Sequence, residues 1–125
     1  MFEISVNDQF TAEHQLREPG GTLEPLHEHV WRVEVTYEGP ALDDMGVLAD
    51  FGVISARLRG LLAAYEGRNL NTLPPFVDRN PSAEYVAAYL AENLPTELSP
   101  SVRLKRVAVE EEAGCVARYY PPALA

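Results

Sequence analysis

Apolar residues recur with period two through VWRVEVTY (Val30 to Tyr37), where Trp31, Val33 and Val35 fall on one parity. Such alternation, in β-branched and aromatic residues, predicts a strand with one buried face. A looser alternation from Phe2 to about Leu16, through Phe2, Ile4 and Val6, predicts an earlier strand. Between them REPGGTLEP (Arg17 to Pro25) is rich in Gly and Pro and reads as a loop. After a polar turn (Glu38 to Asp44) the period changes. Phe51, Ile54, Leu58, Leu61, Leu62 and Tyr65 keep helical spacing, with Asp50 as N-cap and Gly67 ending the run. NLNTLPPFVDR reads as loop. Pro81, after Asn80, takes the first position of a second helix whose buried stripe is Ala83, Val86, Ala87, Leu90 and Leu94. VRLKRVAVEEE and AGCVARYY then close the chain as a hairpin. The order strand, strand, helix, helix, strand, strand predicts an α+β domain with both helices on one face of an antiparallel sheet. A sheet so built leaves open edges, which predicts pairing between copies of the chain.

Composition narrows the partners. The chain has 125 residues, 46% of them hydrophobic and 23% charged, a single soluble domain (1–125) by size and balance. No apolar run approaches the roughly 18 residues of a membrane span, and MFEISVNDQF lacks the marks of a signal peptide, so a cytoplasmic protein is expected. The formal charge is −9. The one basic cluster, Arg103, Lys105 and Arg106, stands beside Glu110, Glu111 and Glu112, which argues against a nucleic-acid partner. A lone cysteine, Cys115, excludes a disulfide framework and any zinc site built from several cysteines; it is expected to be a packed strand residue.

All three histidines of the chain are candidates for chemistry. His27 and His29 stand two apart at the start of the second strand and therefore share a face. His14 ends the first strand, where an antiparallel neighbour could bring it alongside, and three histidines suit a zinc site. The spacing is not the His-Glu-x-x-His of helical metalloproteases, because position 31 is Trp. Pattern alone leaves two readings open, a metal site and a pair of surface or packed histidines.

FTAEHQL, LHEHVWRVEVTYEG, MGVLADFGVI, NLNTLPPF, NPSAEYVAAYL and VAVEEEAGCVARYY follow the order of segments in the 6-pyruvoyl-tetrahydropterin synthase and 6-carboxy-tetrahydropterin synthase family, and the chain resembles that family over almost its whole length. The resemblance implies a tunnelling fold: a four-stranded antiparallel sheet with two helices between the second and third strands. It also implies closure of sheets into a barrel, commonly as a hexamer of two stacked trimers. It implies zinc held by His14, His27 and His29, and a lyase acting on a reduced pterin such as dihydroneopterin triphosphate. The family's pterin-anchoring glutamate follows a Val-x-Val-x-Glu pattern, matched by Val107, Val109 and Glu111; a shortened turn leaves Glu110 as an alternative. Asn71 and the Pro81-Ser82-x-Glu84 segment match as well; Ser82 and Glu84 equally suit the cap and first turn of a helix.

Three positions depart from the family. The usual cysteine, four residues before the first paired histidine, is Leu23. The Asp–His proton relay becomes Glu66 and Gly67, and the glycine between the paired histidines is Glu28, expected to face away from the metal. One branch of the superfamily places a glutamate three residues before the first paired histidine and cleaves the side chain of a dihydroneopterin compound. Glu24 has that spacing and is the candidate base, with Glu66 a second carboxylate; an exposed loop acid before a proline is the other reading of Glu24. A zinc- and pterin-binding descendant without catalysis is the alternative function.

Overall fold

The structure, a computed structural model, describes residues 1–122; the last three residues of the expected domain lie outside it. Two long strands, β1 (Phe2–His14) and β2 (His27–Gly39), pair antiparallel along their whole length, with Phe10 opposite Trp31 and His14 opposite His27. Helix α1 (Phe51–Leu62), a two-residue strand β3 (Arg68–Asn69), two 3-10 turns (Leu70–Thr72, Pro74–Phe76) and helix α2 (Ala83–Glu92) come next. Strands β4 (Glu97–Ser99), β5 (Val102–Glu112) and β6 (Cys115–Tyr119) complete the order. Strand β5 pairs with β2 on one edge and, on the other, with β4 at one end and β6 at the other.

The α+β class and the two helices between the second and third long strands agree with the expectation. The sheet itself needs two corrections. It has six strands rather than four, because the short β3 and β4 join its edges, and it is mixed, because β3 runs parallel to β1 at Ala12 and Glu13. Two-residue alignments of this kind carry no hydrophobic alternation, so periodicity has nothing to detect.

Even positions of β1 and odd positions of β2 face the helices. Phe10, Ala12, Trp31, Val33, Val35 and Tyr37 are buried there, closed over by Ile54 and Leu58 of α1 and by Val86, Ala87 and Leu90 of α2. Phe10 and Trp31 lie parallel with centroids 5.7 Å apart, the offset geometry that aromatic pairs prefer. Tyr37 donates to the Pro95 carbonyl at 2.6 Å, and burial pushes its hydroxyl up to about 12.

Both helix starts test the cap expectations. Asp50 accepts from the Gly52 amide, as predicted. Helix α1 stops at Leu62 and Phe51 is exposed, so the buried stripe runs through Ile54, Leu58 and Leu62, with Tyr65 buried beyond the helix end. Helix α2 is capped by Ser82, which accepts from the Tyr85 amide, and Pro81 precedes the cap instead of opening the helix. Asn80 cannot cap because its amide group is engaged elsewhere, as described below. Cys115 is exposed rather than packed, since it opens β6 beside the Gly114 turn. Lys105 pairs with Glu3 and Glu38, and Arg103 with Glu38 at 3.3 Å, so this part of the basic cluster is neutralised by β1 and β2.

Candidate metal centre

The end of the β1–β2 pair carries the three imidazoles. Antiparallel register sets His14 opposite His27 and Ala12 opposite His29, and alternation puts all three rings on the helix-covered side. Ring centroids are 4.6 Å apart for His14 and His27, 4.6 Å for His27 and His29, and 5.2 Å for His14 and His29. Trp31 floors the cluster 4.8 Å from His14, its indole N–H donating to the Ala12 carbonyl.

Two rings are oriented by backbone carbonyls. His14 Nδ1 lies 2.8 Å from the Pro81 carbonyl and His27 Nδ1 lies 2.8 Å from the Pro25 carbonyl. A carbonyl only accepts, so each Nδ1 carries the hydrogen and each Nε2 of a neutral ring keeps its lone pair. This is the arrangement that fixes histidines as metal ligands.

Glu111 completes the set. Opposite β6, Glu110 pairs with Val116 and Glu112 with Cys115, so Glu111 is the extra residue of a β-bulge. Continuing the face of Val107 and Val109, its Oε1 stands 2.7 Å from His14 Nε2 and 3.3 Å from His29 Nε2. These contacts lack hydrogen-bond alignment, and both Nε2 atoms are buried without a hydrogen-bond partner. One ligand atom from each of His14, His27, His29 and Glu111 lies within 4.8 Å of the other three. Buried polar atoms left so need a partner. A lone pair and a carboxylate oxygen in contact repel unless a cation stands between them, and that cation is a proton or a metal. Burial of His14, whose side chain is wholly inaccessible, holds its ring below its ordinary value of 6.5 despite the Pro81 bond and the Glu111 charge, which disfavours the proton. The residues therefore fit a metal.

The other expected residues have defined places. Glu110 points to the opposite face, where its carboxylate accepts from the Gly114 amide at 3.2 Å and lies 3.7 Å from Arg32. Glu24 Oε1 accepts from the Leu16 amide at 3.0 Å while the Glu24 amide donates to the Leu16 carbonyl, so this acid stands on the strand extension just after His14. It is not among the four convergent ligands. Glu66 is exposed and accepts from the Thr11 amide at the outer edge of β1, also apart from the four. Leu23 is exposed, Gly67 has φ +71°, and Glu28 is exposed opposite Glu13 on the face away from the imidazoles.

Asn71 exchanges two hydrogen bonds with the backbone of Gln15, and Asn80 does the same with Arg17. Together with Glu24 they satisfy three consecutive amides beyond His14. Asn80 and the carbonyl of Pro81 are the supporting groups that the sequence reading assigned elsewhere. The Pro81-Ser82-x-Glu84 segment, which matches the family and also suits a helix start, was the nearest signal, and it includes neither Asn80 nor any mark of the Pro81 carbonyl's role.

A helix-backed, mainly antiparallel sheet with three histidines and a carboxylate that could hold a metal at one end of its buried face defines an α+β protein with a candidate metal site. The family model of 6-pyruvoyl tetrahydropterin synthase matches residues 3–122, and the chain belongs to that family. It is 30% identical over 98 residues to 6-carboxy-5,6,7,8-tetrahydropterin synthase of Bacillus subtilis, a match taking in 74% of the chain and 65% of that enzyme. It is 31% identical over 88 residues to dihydroneopterin monophosphate aldolase of Pyrococcus furiosus, covering 70% of the chain and 72% of that protein. Among solved structures, the Caenorhabditis elegans 6-pyruvoyl tetrahydropterin synthase superposes with a TM-score of 0.83 at 22% identity, over 97% of this chain and 96% of that one. A Plasmodium vivax 6-pyruvoyltetrahydropterin synthase, described as a catalytic residue mutant with a glutamate replaced by alanine, superposes at 0.80 with 16% identity over 98% of both chains. The names of the family and of these relatives are those of pterin-processing enzymes.

Proposed function

We propose that this chain is a zinc-dependent lyase that cleaves the side chain of a reduced pterin of the dihydroneopterin class. The observation that carries the reading is the convergence of buried, hydrogen-bond-free imidazole nitrogens at the end of β1 and β2. His14, His27 and His29 would hold the ion. When bound, zinc supplies a Lewis acid that binds the side-chain hydroxyls and lowers their pKa. Glu111 is the pterin anchor, a carboxylate able to accept from the ring's fork of N–H groups. Glu24 is the base that removes a side-chain hydroxyl proton so that the neighbouring carbon–carbon bond can break. Glu66 is a second carboxylate, with Oε2 on the Thr11 amide.

The aldolase relative, and the spacing of Glu24 three residues before His27, favour cleavage over the reactions that use a cysteine. A glutamate is a catalytic residue in the Plasmodium vivax enzyme, so a carboxylate in that role has a precedent on this fold. The proposal includes a cytoplasmic homo-oligomer, a hexamer of two trimers. Its support is the outer edge of β1 from Phe2 to Phe10, which β3 leaves unpaired, and the outer edge of β6. A second reading, a binding protein without turnover, is favoured by Leu23 and Gly67, which carry no proton-transfer group.

The purified protein is assayed for zinc and incubated with dihydroneopterin and its mono- and triphosphates. The proposal expects about one zinc per chain and release of a hydroxymethyl pterin, abolished by Glu24→Gln with zinc retained. Stoichiometric pterin binding without turnover would establish the second reading, and absence of zinc binding would overturn both.

A further inference from the structure

A site with four protein ligands is closed, and a catalytic one needs an open position. The four groups at the end of the sheet are not equally committed. His14 and His27 are each tied by Nδ1 to a backbone carbonyl, and His14 is wholly buried. Among the described residues neither the His29 nor the Glu111 side chain makes a hydrogen bond; that of His29 is 15% exposed, whereas that of Glu111 is 26% exposed and comes from the extra residue of a bulge. Its Oε1 is nonetheless set against two imidazole nitrogens. Glu111 is thus the one ligand of the four carried by a bulge, and it is more exposed than His14 or His29.

We propose that Glu111 is a fourth protein ligand of the metal in the substrate-free protein and leaves it when a pterin binds. The inference rests on the reading above, in which the same carboxylate receives the ring. One carboxylate cannot turn its oxygens to a fork of N–H groups and keep Oε1 among the imidazoles. Ring binding therefore removes Glu111 from the ion and frees a position for the side-chain hydroxyls. Without substrate, the carboxylate excludes water and small anions from the ion. The bulge supports this motion, since the residue it inserts has no cross-strand partner on β6 to restrain it.

The test uses cobalt(II) in the 125-residue chain, without pterin. Chelator competition should show that Glu111→Gln weakens metal binding by at least about 10-fold, the low end for losing a group that only supports a ligand. Its visible spectrum should shift, and added azide should alter that spectrum while leaving the wild type unchanged. Glu110→Gln, on the opposite face, should bind cobalt as the wild type does. In the wild type, saturation with dihydroneopterin, followed by equilibrium dialysis, should shift the cobalt spectrum. Wild-type affinity and spectrum in Glu111→Gln overturn this inference and leave the lyase reading standing; failure of the wild type to bind any metal overturns both. Should Glu111→Gln not fold, the dihydroneopterin titration decides, and an unchanged cobalt spectrum at saturation overturns the proposal.

Discussion

Replacing Glu24 by glutamine and by alanine separates its proposed role as base from its observed hold on the Leu16 backbone. Its Oε1 accepts the Leu16 amide at 3.0 Å in a half-buried setting, and its own amide closes the same pair of residues from the other side. Glutamine keeps an oxygen at Oε1 and so keeps that bond; it removes only the charge and the basicity. Loss of a general base costs about 10²–10⁴ in rate, or about 3–5 kcal/mol of transition-state stabilisation. Stability should change by less than about 0.5 kcal/mol, as for surface substitutions that spare a network. Alanine loses the same rate and in addition leaves the Leu16 amide without its acceptor, a further cost of about 1–2 kcal/mol at this partial exposure. For a domain of this size that lowers the melting temperature by roughly 3–8 °C. The assays are turnover of dihydroneopterin monophosphate and thermal melts of zinc-loaded protein. A glutamine variant that melts with the alanine variant, yet turns over like the wild type, would refute the base assignment and leave Glu24 a clamp.

Three further outcomes follow from the same geometry. The metal-free protein should lose stability as pH falls below 6.5. His14, held below that ordinary value chiefly by burial, stays neutral while its unfolded counterpart takes up a proton; melts between pH 8 and pH 5 in chelator check the direction. Restoring the family's histidine by Gly67→His should cost about 1–3 kcal/mol by denaturant titration. The φ of +71° strains any side-chain residue there, although the space around an added Cβ is open. Trp31→Ala should cost about 3–5 kcal/mol in urea titrations, because Trp31 is fully buried, stacks on Phe10 and floors the imidazoles.

The long strands and both helices were legible because burial of one face writes a period into the sequence. Trp31, Val33 and Val35 are all buried on the face their parity assigned. Where hydrogen bonding rather than burial decides, the pattern carried less. Ser82 caps the second helix as its type suggested, but Pro81, expected as the first helical residue, precedes that cap and serves His14, while Asn80 serves Arg17. The shared face of His27 and His29 followed from alternation. The arrival of Glu111 at the same atoms did not follow from spacing alone, because a bulge sets its reach and bulges leave no periodic trace.

The departures from the family become coherent once the edge of β1 is considered. Thr11 lies three residues before His14, and its outward amide and carbonyl face no long strand. Glu66 accepts from that amide at 2.8 Å, and the Gly67 amide donates to that carbonyl at 2.7 Å. The two residues aligned with the family's proton relay thus act together as a clasp on the strand that carries His14. The Gly67 conformation that makes the clasp also disfavours a histidine there, so relay and clasp compete for one position. Leu23 and Gly67 carry no proton-transfer group, so proton transfer in the proposed reaction falls chiefly to carboxylates. Glu24 stands on the backbone two residues beyond His14, and Glu66 is tied to the strand edge, so Glu24 is the acid whose removal should silence the chemistry.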